Sequence, residues 1–194
     1  SNGNNIDGTQ IISYSKIDGS AAMEGGAIYS TGSYSTVYYS NFTDNVAQAN
    51  GGAIFWNGGS AANHNTVEGC VFINNTAYGK GTQNTRGGGA IYWSEGGTYG
   101  VMKDSNFINN TARTSNKADG GAVLLDRNAH VKIDGYIFDG NYVRTSVFGN
   151  NIWVQGGAIY IRSINVTINN TVFENCWSQM DAGAVYLSND YSQG

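Results

Sequence analysis

One five-residue phrase restricts the fold of this chain more than any other feature. Gly-Gly-Ala-Ile-Tyr is written six times with little change. The copies begin at Gly25 (GGAIY), Gly51 (GGAIF), Gly88 (GGAIY), Gly120 (GGAVL), Gly156 (GGAIY) and Ala182 (AGAVY). A second phrase, Phe-x-x-Asn, alternates with it at Phe42…Asn45, Phe72…Asn75, Phe107…Asn110 and Phe138…Asn141. A fifth version runs from Phe173 to Cys176, and a degenerate one, Ile17…Ser20, precedes the first glycine pair. Two motifs alternating along a whole chain define a repeat architecture.

The spacing separates a constant arc from a variable one. Each glycine pair is followed by its Phe after 17, 21, 19, 18 and 17 residues, whereas each Phe is followed by the next pair after 9, 16, 13, 18 and 9. Within the constant arc an aliphatic residue stands five positions before Phe: Val37, Val67, Met102, Ile133 and Ile168. A small residue stands two before it at Ser40, Cys70, Ser105 and Thr171, with Tyr136 as the exception. These offsets predict a strand ending near the aliphatic residue, a sharp bend, and a second strand carrying Phe inward. Alternation in Val131-Lys132-Ile133 and Val166-Thr167-Ile168 supports the first strand.

The fourth position of GGAIY is always Ile or Val, the residue that follows the phrase is often apolar (Trp56, Trp93, Leu125, Ile161 and Leu187), and both are placed inward. The third (Ala) and the fifth (aromatic except at Leu124) are placed outward, with the alternative that Ala is the small inward residue. The glycine pair suits a bend with positive φ or a close backbone stack. The chain has no proline, where ordinary usage would give about ten. That suits strands paired on both sides, because proline cannot donate to a ladder. The fold expected is all-β: a right-handed, single-stranded parallel β-helix of about six to seven rungs with three strands each. Residues 1–194 are read as one β-helical segment of a longer surface protein.

The GGA[I/V] and FxxN phrases resemble the repeats of chlamydial polymorphic outer-membrane proteins. With Asn74–Ala77 and Asn109–Ala112, both Asn-Asn-Thr-Ala, they are also similar to adhesin-like surface proteins of methanogenic archaea. The resemblance runs from about Ile17 to Leu187. It implies an extracellular, cell-surface β-helical passenger that mediates attachment, whose partner is a glycan or surface protein of another cell.

Insertions in the variable arc are the first candidates for function, at Ala77–Arg86, Ala112–Asp119 and Val143–Gln155 on consecutive rungs. Insertions of this kind commonly form the binding face of a repeat protein. They carry Lys80, Arg86, Arg113, Lys117 and Arg144 against Asp119 alone, a local balance of +4 on a chain of net charge −4. A basic edge on an acidic body suggests an anionic polysaccharide. Trp153, in the last insertion, joins the set. The second candidate is the fifth-position column, Tyr29, Phe55, Tyr92, Tyr160 and Tyr186, whose flat apolar faces and polar tips suit sugar rings. Against both stand solvated loops and aromatic stacking for its own sake.

The function expected is an adhesin segment binding through these loops. Its alternatives are a polysaccharide lyase or hydrolase on the same scaffold, and a purely structural stalk. The densest titratable cluster, Asp126, Arg127, His130, Lys132 and Asp134, reads as a solvated strand face rather than a catalytic set. No cofactor or metal is expected, nor a nucleic-acid partner, nor membrane insertion of this segment, since no stretch reaches the ~18 apolar residues of a spanning helix. A monomer is expected. Cys70 and Cys176, three rungs of ~4.8 Å apart, lie beyond bridging distance, so both are predicted free, with Cys176 in a turn-Asn position. Asn-x-Ser/Thr at Asn41, Asn74, Asn109, Asn165 and Asn169 occurs at about the frequency chance gives, and the Asn after Phe is read as a stacked turn ladder.

Overall fold

The computed structural model describes residues 10–32, 34–57, 64–79, 87–94, 99–114, 117–147 and 152–188. Within them every regular element is a strand, and every strand pair is parallel. Four sheets of six strands run the length of the molecule. The first contains Gln10–Ser13, Ser35–Tyr38, Thr66–Glu68, Gly100–Lys103, Val131–Asp134 and Thr167–Asn169. The second contains Lys16–Asp18, Asn41–Thr43, Val71–Ile73, Asn106–Ile108, Ile137–Asp139 and Val172–Glu174. The third contains Ala21–Ala22, Val46–Ala47, Thr76–Ala77, Thr111–Thr114, Tyr142–Thr145 and Trp177–Ser178. The fourth contains Ile28–Ser30, Ile54–Trp56, Ile91–Trp93, Val123–Ala129, Ile159–Ile164 and Val185–Leu187.

In every sheet each strand pairs with its counterpart one turn earlier and one turn later. That is a parallel β-helix of six rungs. Each rung has four strands where three were expected. The extra one lies between the Asn and the glycine pair, and at Val46–Ala47 and Thr76–Ala77 it is two residues long. A two-residue strand is too short to show alternation in a sequence.

Equivalent residues stack in register, which is why the sequence repeats side chains and not only hydrophobicity. Phe42, Phe72, Phe107, Phe138 and Phe173 are adjacent on the second sheet, with ring centroids 4.9, 4.7, 4.8 and 5.1 Å apart. Trp56 and Trp93 pack on one another at 4.7 Å. The interior combines these rings with the aliphatics of the first sheet, the fourth position of GGAIY and the residues that follow the phrase at Trp56, Trp93, Leu125 and Ile161, whereas Leu187, expected inward, is 70% exposed in the last rung. The third-position alanines, expected outside, are interior too: Ala53, Ala90, Ala122 and Ala158 are fully buried in the same core. They follow the bend directly, where the chain has not yet settled into alternation.

Three of the four corners are left-handed turns in every rung, and the fourth, before the first sheet, is one at Tyr34, His130 and Asn165. The first falls at Tyr39, Gly69, Asp104, Gly135 and Asn170, the second at Asp44, Asn74, Asn109, Gly140 and Asn175, and the third at the first residue of each glycine pair. Behind the second corner runs the predicted amide ladder. Asn45, Asn75, Asn110 and Asn141 are fully buried. Each Oδ1 from Asn75 onward accepts from both the backbone N–H and the Nδ2 of the Asn one rung earlier, at 2.9–3.1 Å. Each Nδ2 also donates to the carbonyl of the preceding rung, as Asn75 does to Phe42 at 2.9 Å. A parallel hydroxyl and thiol column, Ser40, Cys70 and Ser105, supports the first corner, with the Cys70 N–H donating to Ser105 Oγ at 2.9 Å. At Tyr136 a ring fills that column and lies against Phe107 and Phe138.

Both cysteines are free. Cys176 occupies the ladder position next to Asn141, and Cys70 lies in the core. Burial pushes the Cys70 thiol up to about 11, and burial raises Cys176 as well. The thiolate is the reactive form. At pH 8 the folded protein is therefore expected to react slowly with Ellman's reagent at Cys176 alone, and Cys70 is expected to react only in denaturant. Two equivalents released rapidly from native protein would contradict the placement of Cys70.

Candidate functional site

The variable arc lies between the third and fourth sheets. Its insertions return to the coil as an extra layer, because the residue before each glycine pair is bound into a backbone column. Gly25, Gly51, Gly88, Gly120 and Gly156 donate their N–H groups to the carbonyls of Asn50, Gly87, Asp119, Gln155 and Asp181, each one rung onward. Lys117–Asp119 and Trp153–Gln155 extend this column into a fifth, two-stranded parallel sheet, in the register Lys117↔Trp153, Ala118↔Val154 and Asp119↔Gln155.

Alternation then gives the two insertions an inside and two outsides. Ala118 and Val154 turn toward Ala112 and Val143 of the third sheet, forming a small core of their own with Ile152. On the far side of the third sheet stand Arg113 and Arg144, paired in register. On the far side of the fifth sheet stand Lys117 and Trp153, with Asp119 and Gln155. The basic edge read from the sequence is therefore two faces of a thin lobe, with the two arginines on one and Lys117 on the other. Lys80 and Arg86 lie outside the described residues.

Against the fifth sheet the outer surface of the fourth forms an open groove of about 270 Å³. Lys117, Asp119, Trp153, Gln155, Tyr160, Tyr186 and Ser188 line it. Four of these, Lys117, Trp153, Tyr160 and Tyr186, are residues the sequence singled out. Trp153 is half exposed. Tyr160 and Tyr186 stack at 5.3 Å with their planes 5° apart. Gln155 Nε2 donates to Asp181 Oδ2 at 3.1 Å, which fixes the amide at the groove edge. Asp119, Gln155 and Ser188 were not anticipated. The first two occupy the position before the glycine pair, where Glu24, Asn50 and Asp181 are polar as well.

The rest of the aromatic column does not meet the groove. Leu124 interrupts the stack, leaving Tyr29, Phe55 and Tyr92 as a separate run with centroids 5.2 and 5.0 Å apart. An exposed face was expected there, yet Phe55, Tyr92, Leu124 and Tyr160 are buried as a second cluster outside the coil's interior. Tyr29 alone of that run is half exposed. The Tyr92 hydroxyl is not offered to a ligand, because it donates to Asp126 Oδ2 at 2.8 Å.

Asp126 itself corrects the expectation of a solvated face. It is buried and paired with buried Arg162, whose Nε donates to Asp126 Oδ1 at 2.6 Å. The other members of that cluster are surface groups. Lys132 bridges to Asp134 at 2.9 Å and, with Asn170, holds that carboxyl below its usual range. His130 belongs to an alternating stack the sequence did not suggest, Tyr34–His64–Tyr99–His130, with centroids 5.0–5.1 Å apart. Its members lead into first-sheet strands, each eight residues before the Phe of its rung (Phe42, Phe72, Phe107 and Phe138), so a fixed offset does mark them, hidden by the alternation of Tyr with His. Among the described residues no group of three or more His, Cys, Asp or Glu is placed to hold a metal ion.

Neither curated proteins nor solved structures match the chain. A family model does match, in two segments that each run from the corner before a Phe strand to a GGAI strand. Residues 39–55 and 69–92, in the second and third rungs, are similar to the Chlamydia polymorphic membrane protein repeat.

Proposed function

We propose that this chain is a segment of a surface-displayed, adhesin-like β-helix that holds a glycan of a partner surface in the groove between the fourth and fifth sheets. The similarity of two rungs to a membrane-protein repeat supports surface display. The observation that carries the binding role is the convergence of Trp153, Tyr160 and Tyr186 with Lys117, Asp119, Gln155 and Ser188 in one groove. The aromatic faces of half-exposed Trp153 and partly exposed Tyr186 match the C–H face of a pyranose ring, buried Tyr160 seats Tyr186 from behind, and the polar groups supply hydrogen bonds to the sugar hydroxyls. The groove is built on strands, so it is pre-formed, and binding does not have to order a loop first.

A glycan array probed with the whole chain and with Trp153→Ala tests this reading. The parent is expected to retain a defined set of glycans. The variant is expected to lose about tenfold in affinity for them, the effect of removing roughly 1.4 kcal/mol of ring contact. Retention of the same glycans at parental strength by Trp153→Ala would remove the groove from the account. An array with no retained glycan would leave a structural stalk.

A further inference from the structure

The groove leaves two of the sequence's basic residues unused, and their placement is unusual. Arg113 and Arg144 face one another in register on neighbouring strands of the third sheet. Parallel neighbours lie ~4.8 Å apart, and like charges directly opposite destabilise a sheet. Both flanking pairs are buried, Ala112 with Val143 and Thr114 with Thr145, so alternation turns both arginines to the same outer face. Neither takes part in an ion pair among the described residues. Each guanidinium is instead held over a ring, Arg113 over Tyr78 at 5.9 Å and Arg144 over Tyr142 at 5.6 Å. Tyr78 follows Ala77, the register partner of Ala112, and so stands next in the same column. Trp177, half exposed, pairs with Tyr142 one rung on.

We propose that Arg113 and Arg144 form a clamp for an oxyanion carried by a polysaccharide, a sulfate ester or a uronate carboxylate. Two guanidiniums one strand apart present N–H donors from both sides to a single anionic group, and the bound anion relieves their mutual repulsion. The rings beneath them restrict the side chains and leave less freedom to lose on binding. The small core of Ala112, Ala118, Val143 and Val154 separates this face from the groove. A polymer rounding the lobe would meet the clamp on one side and the groove on the other. The identity of the carrier as a polysaccharide rests on the glycan reading above; the affinity of the pair for an oxyanion does not.

The test uses the whole chain immobilised and exposed to dextran sulfate, polygalacturonate and unsubstituted dextran, with inorganic sulfate as competitor. Four variants are compared: R113Q/R144Q, R113K/R144K, W153A and K103Q/K132Q. The last removes the same charge from exposed lysines of the first sheet. Binding of at least one anionic polymer is expected, weakening with added salt, and dextran sulfate against polygalacturonate identifies the oxyanion. R113Q/R144Q should lose at least tenfold and R113K/R144K a smaller amount, with K103Q/K132Q within twofold of the parent. Equal losses in R113Q/R144Q and K103Q/K132Q, or no loss in R113Q/R144Q, would overturn the clamp. Loss in R113Q/R144Q with displacement by inorganic sulfate supports the clamp even if W153A binds every polymer normally. In that case the groove reading fails alone.

Discussion

Asn110→Ala is expected to cost roughly 4 kcal/mol of stability, measured by urea unfolding, while Asn109→Ala beside it costs about 1. The two asparagines differ in what they hold. Asn110 is fully buried, and its Oδ1 accepts from the Asn75 N–H and Nδ2 at 3.0 and 2.9 Å. Its own Nδ2 donates to the Phe72 carbonyl and to Asn141 Oδ1, both at 3.0 Å. Alanine leaves two buried donors of Asn75 without that acceptor and takes a donor from Phe72. Orphaned buried groups cost about 1–3 kcal/mol each. Asn109 is exposed and contributes only a tolerated φ of 54°. Equal effects at the two sites would mean that the ladder is a turn preference and not a network spanning rungs.

Gly121→Ala is expected to cost about 4 kcal/mol or more, through overpacking against backbone that cannot swing aside. The two glycines of each pair serve different needs. The first takes the left-handed turn, at φ values of 58–70°. The second lies so close to the next rung that an added Cβ at Gly121 would overlap the Gly157 carbonyl oxygen, with Tyr142 backbone atoms at 2.7 and 2.8 Å. Gly26, Gly52, Gly89 and Gly157 are placed in the same way. Gly183 is the internal control. There the nearest atom is the Cys176 carbonyl oxygen at 3.3 Å, so Gly183→Ala should change stability by less than about 1 kcal/mol. In the same rung Ala182 sits at φ 56°, and Ala182→Gly should gain about 1 kcal/mol by removing that strain. Melting temperatures of the three variants, read side by side, check both roles.

The coil was legible because stacked rungs put equivalent residues in contact, so the chain must repeat identities at fixed offsets. Phe, Asn and the glycine pair are direct prints of that stacking. The fourth strand of each rung was not legible, since Val46–Ala47 and Thr76–Ala77 offer two residues and no period. Parity in GGAIY was readable at Ile54, Trp56, Ile91 and Trp93, which alternate about Phe55 and Tyr92, but not at Ala53 and Ala90, where the bend overrides alternation.

Burial of Phe55 and Tyr92 was invisible for a different reason: exposure depends on what folds back over the outer face, not on the strand's own pattern. The Asp126–Arg162 pair did leave a trace. Both stand six residues after the first glycine of their pair, at Gly120 and Gly156, with opposite charge in the same column.

The insertions were legible as a region and not as a geometry. Their length marked them, and Lys117 and Trp153 do line the groove. What the charge count could not separate was Arg113 from Lys117. Four residues apart, they fall on opposite faces of the lobe because the chain leaves the third sheet and returns in the fifth between them.

Amide chemical-shift mapping of the isotopically labelled chain, titrated with a glycan retained on the array, tests the central claim most directly. Shifts concentrated at Lys117–Asp119, Trp153–Gln155 and Tyr186–Ser188 are the predicted result. Shifts concentrated instead on the first and second sheets around Lys103 and Lys132, with these three segments unmoved, would contradict it.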